Sequence, residues 1–193
     1  MTLLIAGVVL WSFAHLVPAT LPGVRANLIT KFGASPYKGL FALDIIIALA
    51  LIVYGWKSAV PTALYAPPLY GSPIPSVFLF ASILLLVASS LPNNLRRFVR
   101  HPQMASVVLW SAGHLMTNGD SRSIVLFGGF AIWAILEIVF INRRDGQWHK
   151  PKSSPLLSDA ITAVVAVAVF AALVYFHASL FGVSPIPASA VIQ

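Results

Sequence analysis

Residues Ser123–Ile141 read SIVLFGGFAIWAILEIVFI, an apolar run with a single charged residue, Glu137. A helix of about 20 such residues crosses the roughly 30 Å hydrocarbon core of a bilayer. The alternation of period two that marks a membrane barrel is absent from it. Before the run stands Asn118-Gly119-Asp120, a tight-turn signal, and after it comes Asn142-Arg143-Arg144. An apolar core between a turn and a basic flank reads as a transmembrane helix.

Five further segments have the same character: Leu3–Val17, Gly39–Trp56, Ser76–Leu91, Gln103–Thr117 and Ser158–Phe181. Some are shorter than about 20 residues, which local bilayer thinning accommodates. Of the 193 residues 59% are hydrophobic and only 9% charged. Soluble domains carry about 25% charged residues, so this chain cannot cover itself with a water-facing surface. The expected fold is all-α, a polytopic transmembrane bundle of six helices forming a single domain over 1–193. With no cysteine, disulfides and thiolate chemistry are excluded.

The connecting segments carry the charge. Arg25, Lys31 and Lys38 lie in the first, Pro18–Lys38, and Arg96, Arg97 and Arg100 in the third, Pro92–Pro102. Arg143, Arg144, Lys150 and Lys152 lie in the fifth, Asn142–Pro155. If six helices alternate, these ten face one side, against Lys57 and Arg122 on the other. That asymmetry places the basic loops in the cytoplasm and both termini outside it. The net charge of +7 is thereby a matter of topology, and no nucleic-acid partner is expected. The second loop, Val60–Pro75, contains Pro61, Pro67, Pro68, Pro73 and Pro75 and is expected to be extended. The first apolar segment has no basic residue before it and reads as a retained helix rather than a cleaved signal.

Two segments repeat a pattern, Trp11-Ser12-Phe13-Ala14-His15-Leu16 and Trp110-Ser111-Ala112-Gly113-His114-Leu115. A histidine within a lipid-embedded helix is costly unless it faces the bundle and finds a partner. Two of them on different helices suit bis-imidazole ligation of a haem iron, making His15 and His114 candidate metal ligands. Helix rise places them within about 5 Å in depth near the midplane. The alternative is that each simply hydrogen-bonds within the bundle. Ala14, Ala112 and Gly113 offer small surfaces for a flat macrocycle.

A second group is Arg100-His101-Pro102 at the entrance of the fourth segment, with Pro102 suited to a first helical turn. Arg100 and His101 are candidate cofactor-binding residues for a phosphate, a carboxylate or a haem propionate, and otherwise interfacial anchors. Asp44 and Glu137 lie near the same membrane face, so a polar cluster of these four is expected.

The run Arg100-His101-Pro102, the Leu109–Leu115 stretch LWSAGHL, Asn118-Gly119-Asp120 and the Leu126–Phe130 stretch LFGGF resemble the signature of NnrU membrane proteins. His15, Pro18 and the Ser35–Phe41 stretch SPYKGLF are similar too. The resemblance implies a bacterial inner-membrane protein linked to denitrification and nitric oxide metabolism. The family also includes the plant 15-cis-zeta-carotene isomerase, a membrane enzyme with haem b, which implies His15 and His114 as haem ligands. That enzyme has a cysteine where this chain has Ser111, so a thiolate-switched isomerase is put in doubt. Membrane methyltransferases that use S-adenosylmethionine also carry Arg-His-Pro at a helix entrance. There a tyrosine and a glycine follow, whereas here Gln103 and Met104 do. Three readings stand: a haem b protein acting on an apolar small molecule or an electron carrier in the lipid bilayer, such a methyltransferase, and a non-enzymatic assembly factor.

Overall fold

The computed structural model describes residues 1–69 and 72–185. Seven helices account for most of them: α1 (Thr2–Thr20), α2 (Pro22–Phe32), α3 (Ala34–Ser58), α4 (Ile74–Ser90), α5 (Pro102–Leu115), α6 (Ser121–Asp145) and α7 (Leu156–Phe181). α1, α3, α6 and α7 are each long and apolar enough to cross a membrane. α4 and α5, with 17 and 14 residues, are shorter than a bilayer core requires. Among the described residues the β-structure is one isolated bridge, Ala63 with Asp120.

α1 and α3 lie antiparallel and very close. A Cβ on Gly7 would come within 2.7 Å of the Ile52 amide nitrogen, and one on Gly55 would strike the Leu4 backbone. Small residues at such crossings let two helix backbones touch where lipid provides no hydrophobic drive. α4 and α5 form a second pair. Gly113 faces Leu79 and the Pro75 carbonyl, and the Ser82 hydroxyl donates to the Ser106 carbonyl at 2.8 Å. α6 joins the pairs, packing on α1 along one side and on α5 along the other. Its Gly129 sits against Val8. α7 packs on α4, with Phe80 and Phe170 edge to face at 5.5 Å, and buries only Thr162 and Ala166. The outer surface is apolar, with Leu40, Ile46, Tyr54, Ile132 and Val164 all more than 60% exposed. Such a surface is stable only in a lipid-like medium.

The ends of the bundle differ in charge. Arg144 reaches the Pro18 carbonyl, Arg100 the Gly146 carbonyl, and Asn94 the Asp159 carboxylate. These contacts gather the connections that carry the ten basic residues at one end. At the other, the Arg122 guanidinium lies 4.7 Å above the Trp56 ring.

The first connection departs from the expected loop. Pro18 lies within α1, and Pro22–Phe32 forms a helix of its own. Proline suits a first turn because its missing N–H would be unpaired there anyway, so Pro22 starts α2 rather than breaking it. Gly33, at φ 88°, supplies the backbone turn that ends it. α2 carries Arg25 and Lys31, buries no residue, and lies against α1 and α3.

Candidate functional site

His15 and His114 sit in matched local settings. Each Nδ1 is hydrogen-bonded to the carbonyl four residues back, His15 to Trp11 at 2.8 Å and His114 to Trp110 at 2.9 Å. A carbonyl only accepts, so Nδ1 carries the proton in both rings. In the neutral imidazole, Nε2 is then left with its lone pair, the form in which histidine binds a metal. The acceptor in each case is a main-chain carbonyl one helical turn back, so the helix itself, and not the tryptophan side chain, fixes the ring tautomer.

Beyond the local motif the two differ. The His15 ring stacks on Trp11 at 4.5 Å and meets Trp133 at 5.1 Å and Phe41 at 5.4 Å edge-on. The His114 ring stacks on Phe127 at 4.3 Å and meets Trp110 at 5.1 Å. Phe130 bridges the halves, 5.5 Å from Trp11 and 6.0 Å from Trp110. Phe127, Phe130 and Trp133 recur every third residue and line one face of α6. Sequence reasoning passed over them, although the i, i+3 spacing of three aromatics is legible. Phe127 belongs to a five-residue π-helical turn, Ile124–Gly128, a wider coil that is often found at functional sites.

The expected match in depth is corrected by this packing. His114 is level with Phe127 and His15 with Trp133, six residues apart on α6. At about 1.5 Å per residue the histidines are offset by about 9 Å along the bundle, with α6 standing between their helices. An offset of this size departs from the matched depth expected for one macrocycle held between both rings. The donor chemistry fits a haem iron at each ring taken singly. Gly113, expected to give a macrocycle room, is taken up by α4.

The surroundings of His15 are polar and unsatisfied. The α1–α3 register, with Gly7 against Ile52 and Leu4 against Gly55, brings His15 level with Asp44, whose charge acts on the imidazole. Glu137 stands one turn beyond Trp133. Trp11 Nε1, Trp133 Nε1, Asp44 Oδ2 and Glu137 Oε2 are all buried without a hydrogen-bond partner. An unpaired buried polar atom costs about 1–3 kcal/mol, so three of them beside one histidine, on Trp11, Trp133 and Asp44, mark a candidate site. On the other half, Ser111 Oγ is the comparable atom, in a fully buried side chain.

The expected cluster of Asp44, Glu137, Arg100 and His101 is divided. The His101 Nε2–H donates to Asn142 Oδ1 at 2.9 Å, and the Arg100 guanidinium donates to the Gly146 carbonyl at 2.8 Å. Both tie the start of α5 to the end of α6. Asp44 belongs with His15, and Glu137 is within electrostatic reach of Arg144. Among the described residues no group of three or more His, Asp or Glu side chains is arranged to hold a metal ion.

Past His114, the proline-rich loop closes over the turn before α6. Leu64 N–H donates to the Gly119 carbonyl at 2.9 Å and Ser121 N–H to the Thr62 carbonyl at 2.9 Å. The Tyr65 hydroxyl reaches the Leu115 and Asn118 carbonyls. A Cβ at Gly119 would collide with the Tyr65 carbonyl, so glycine is required there. Asp120 caps α6 by accepting from Arg122 N–H, Ser123 N–H and the Ser123 hydroxyl. Burial opposes its charge, but these hydrogen bonds and Arg122 outweigh burial and hold the carboxyl below its ordinary range. Burial, with the Asp120 charge beside it, pushes the Tyr65 phenol up.

Taken together, these features define a helical membrane protein with an aromatic-walled histidine site inside its bundle. Residues 3–185 match the NnrU protein family, and the chain belongs to that family. Neither the curated proteins nor the solved structures contain a match to it.

Proposed function

We propose that this NnrU protein crosses the cell inner membrane six times, both termini outside the cytoplasm, and that His15 is its working centre and holds haem b. The observation that carries the reading is the free Nε2 of His15 beside three unpartnered buried polar atoms, on Trp11, Trp133 and Asp44. α4 and α5 complete the six crossings, local thinning making up for their length. Bound haem would supply an iron able to take up a small diatomic molecule or exchange an electron.

The chain's own part is to fix the ring and keep it dry. The Trp11 carbonyl orients the imidazole, while Trp11, Trp133 and Phe41 wall it from water. One of these walls has to shift to admit a macrocycle. The family's link to nitric oxide metabolism is in keeping with such chemistry. Carotenoid-type isomerisation by thiolate exchange is not, because Ser111 stands where a cysteine is needed. Methyl transfer gains no support from Arg100 and His101, which are engaged in holding α5 to α6.

A visible spectrum of the purified protein from haem-replete cells tests this. A Soret band lost in His15→Ala and kept in His114→Ala supports the reading. Loss in both variants, with a low-spin spectrum, assigns the two-histidine sandwich instead. A colourless protein removes haem altogether. A reporter fused in the 142–155 connection that reads as outside would refute the topology.

A further inference from the structure

A groove of about 250 Å³ opens sideways between α1, α2 and α3, walled chiefly by Phe13, Val17, Leu28, Phe32 and Phe41. It also contains two charged residues of opposite sign, Arg25 and Asp44. Neither side chain makes a hydrogen bond or an ion pair with any described residue, and Asp44 Oδ2 is buried and unpartnered. Arg25 only overlies the Tyr37 ring, 5.8 Å from its centre. Arg25 is exposed, whereas the Asp44 oxygen is a buried acceptor in an apolar groove, where an ionisable group calls for a partner.

We propose that this groove binds a hydroquinone with an alkyl or isoprenoid tail, drawn from the lipid phase. A carboxylate oxygen needs a donor, and a phenolic hydroxyl provides one in a molecule otherwise at home among aromatic walls. The flat ring lies against Phe41, and Asp44 accepts from one hydroxyl. Arg25, on α2 at the basic end, donates to the oxygen on the opposite edge of the ring. The volume suits a single ring, leaving the tail to run out through the open side into lipid. An anionic phospholipid would satisfy Arg25 but bring negative charge towards Asp44. Asp44 and Phe41 also border His15, so the two readings are separated by their readouts: hydroquinone binding is measured without haem, and the Soret band without hydroquinone.

The test is equilibrium binding of a radiolabelled short-chain alkyl hydroquinone to the full-length protein in phosphatidylcholine nanodiscs. Saturable binding is expected, weakened about tenfold or more by Asp44→Leu, as for loss of a hydrogen bond to a charged group. Asp44→Asn, which keeps an acceptor of the same shape, should lose less. Arg25→Gln should weaken binding by a smaller factor than Asp44→Leu. The dimethyl ether of the same hydroquinone should fail to compete. Equal affinity in wild type and Asp44→Leu overturns the proposal, as does equal competition by the ether. Displacement by phosphatidylglycerol that depends on Arg25 and not on Asp44 also overturns it, identifying a lipid headgroup site. Asp44→Leu removes a buried charge from an apolar helix, so the variant is expected to fold.

Discussion

The two halves of the bundle carry the same W-S-x-x-H-L motif and treat it differently. Around His114, the ring is stacked on Phe127 and the loop above it is knitted by backbone hydrogen bonds to the Asn118–Ser121 turn. Around His15, donors and acceptors are left unpaired. The contrast teaches that one motif, with the same Nδ1 hydrogen bond, sits in unlike polar surroundings. One unpaired buried oxygen, Ser111 Oγ, lies on the His114 half, against three unpaired atoms beside His15.

Substitutions can break this contrast. The largest effect is expected from Gly55→Leu, whose side chain meets the Leu4 backbone and would lift α1 off α3. A stability loss of about 3 kcal/mol or more is expected in detergent unfolding, with the His15 side lost first. Phe127→Ala should cost about 3 kcal/mol by leaving a cavity where a buried ring meets His114, Trp110 and Trp56. Little change there would show that the stack carries no weight.

Asp120→Ala should cost about 1–2 kcal/mol through loss of the α6 cap. Its pH dependence has a definite sign. Because the folded carboxyl lies below its unfolded value of about 4, the stabilisation is present above that value. It fades as the pH falls through the folded pKa, so unfolding curves of wild type and Asp120→Ala should converge in acid and diverge near neutrality. The smallest effect sharpens the comparison most. Trp133→Phe removes an unpaired N–H beside His15 but leaves a small cavity, because Trp133 is buried, so a loss of about 1 kcal/mol is expected, smaller than that of Phe127→Ala. A loss as large as that of Phe127→Ala in detergent unfolding would show that the indole nitrogen is paired.

Helix positions and the segregation of charge were legible because hydropathy and Lys/Arg placement are local properties of the chain. Helix α2 was hidden because Pro22 and Gly33 read as loop punctuation, whereas they mark its two ends. The order of helices in space was not legible. Nothing in the pattern of α6 announces that it stands between α1 and α5, and that placement separates the histidines. Depth alone groups Asp44 with Glu137, Arg100 and His101, while the glycine-set register of α1 on α3 gives it to His15.

The clamp between the proline-rich loop and the turn before α6 has a consequence for biogenesis. Leu64 and Gly119, joined by a backbone hydrogen bond, are separated in the chain by all of α4 and α5. The bond can form only after both of those helices have been synthesised and paired. The seam is a latch that closes late, and a protease added during synthesis should cut residues 60–69 in chains stalled before α5 and spare them in completed ones.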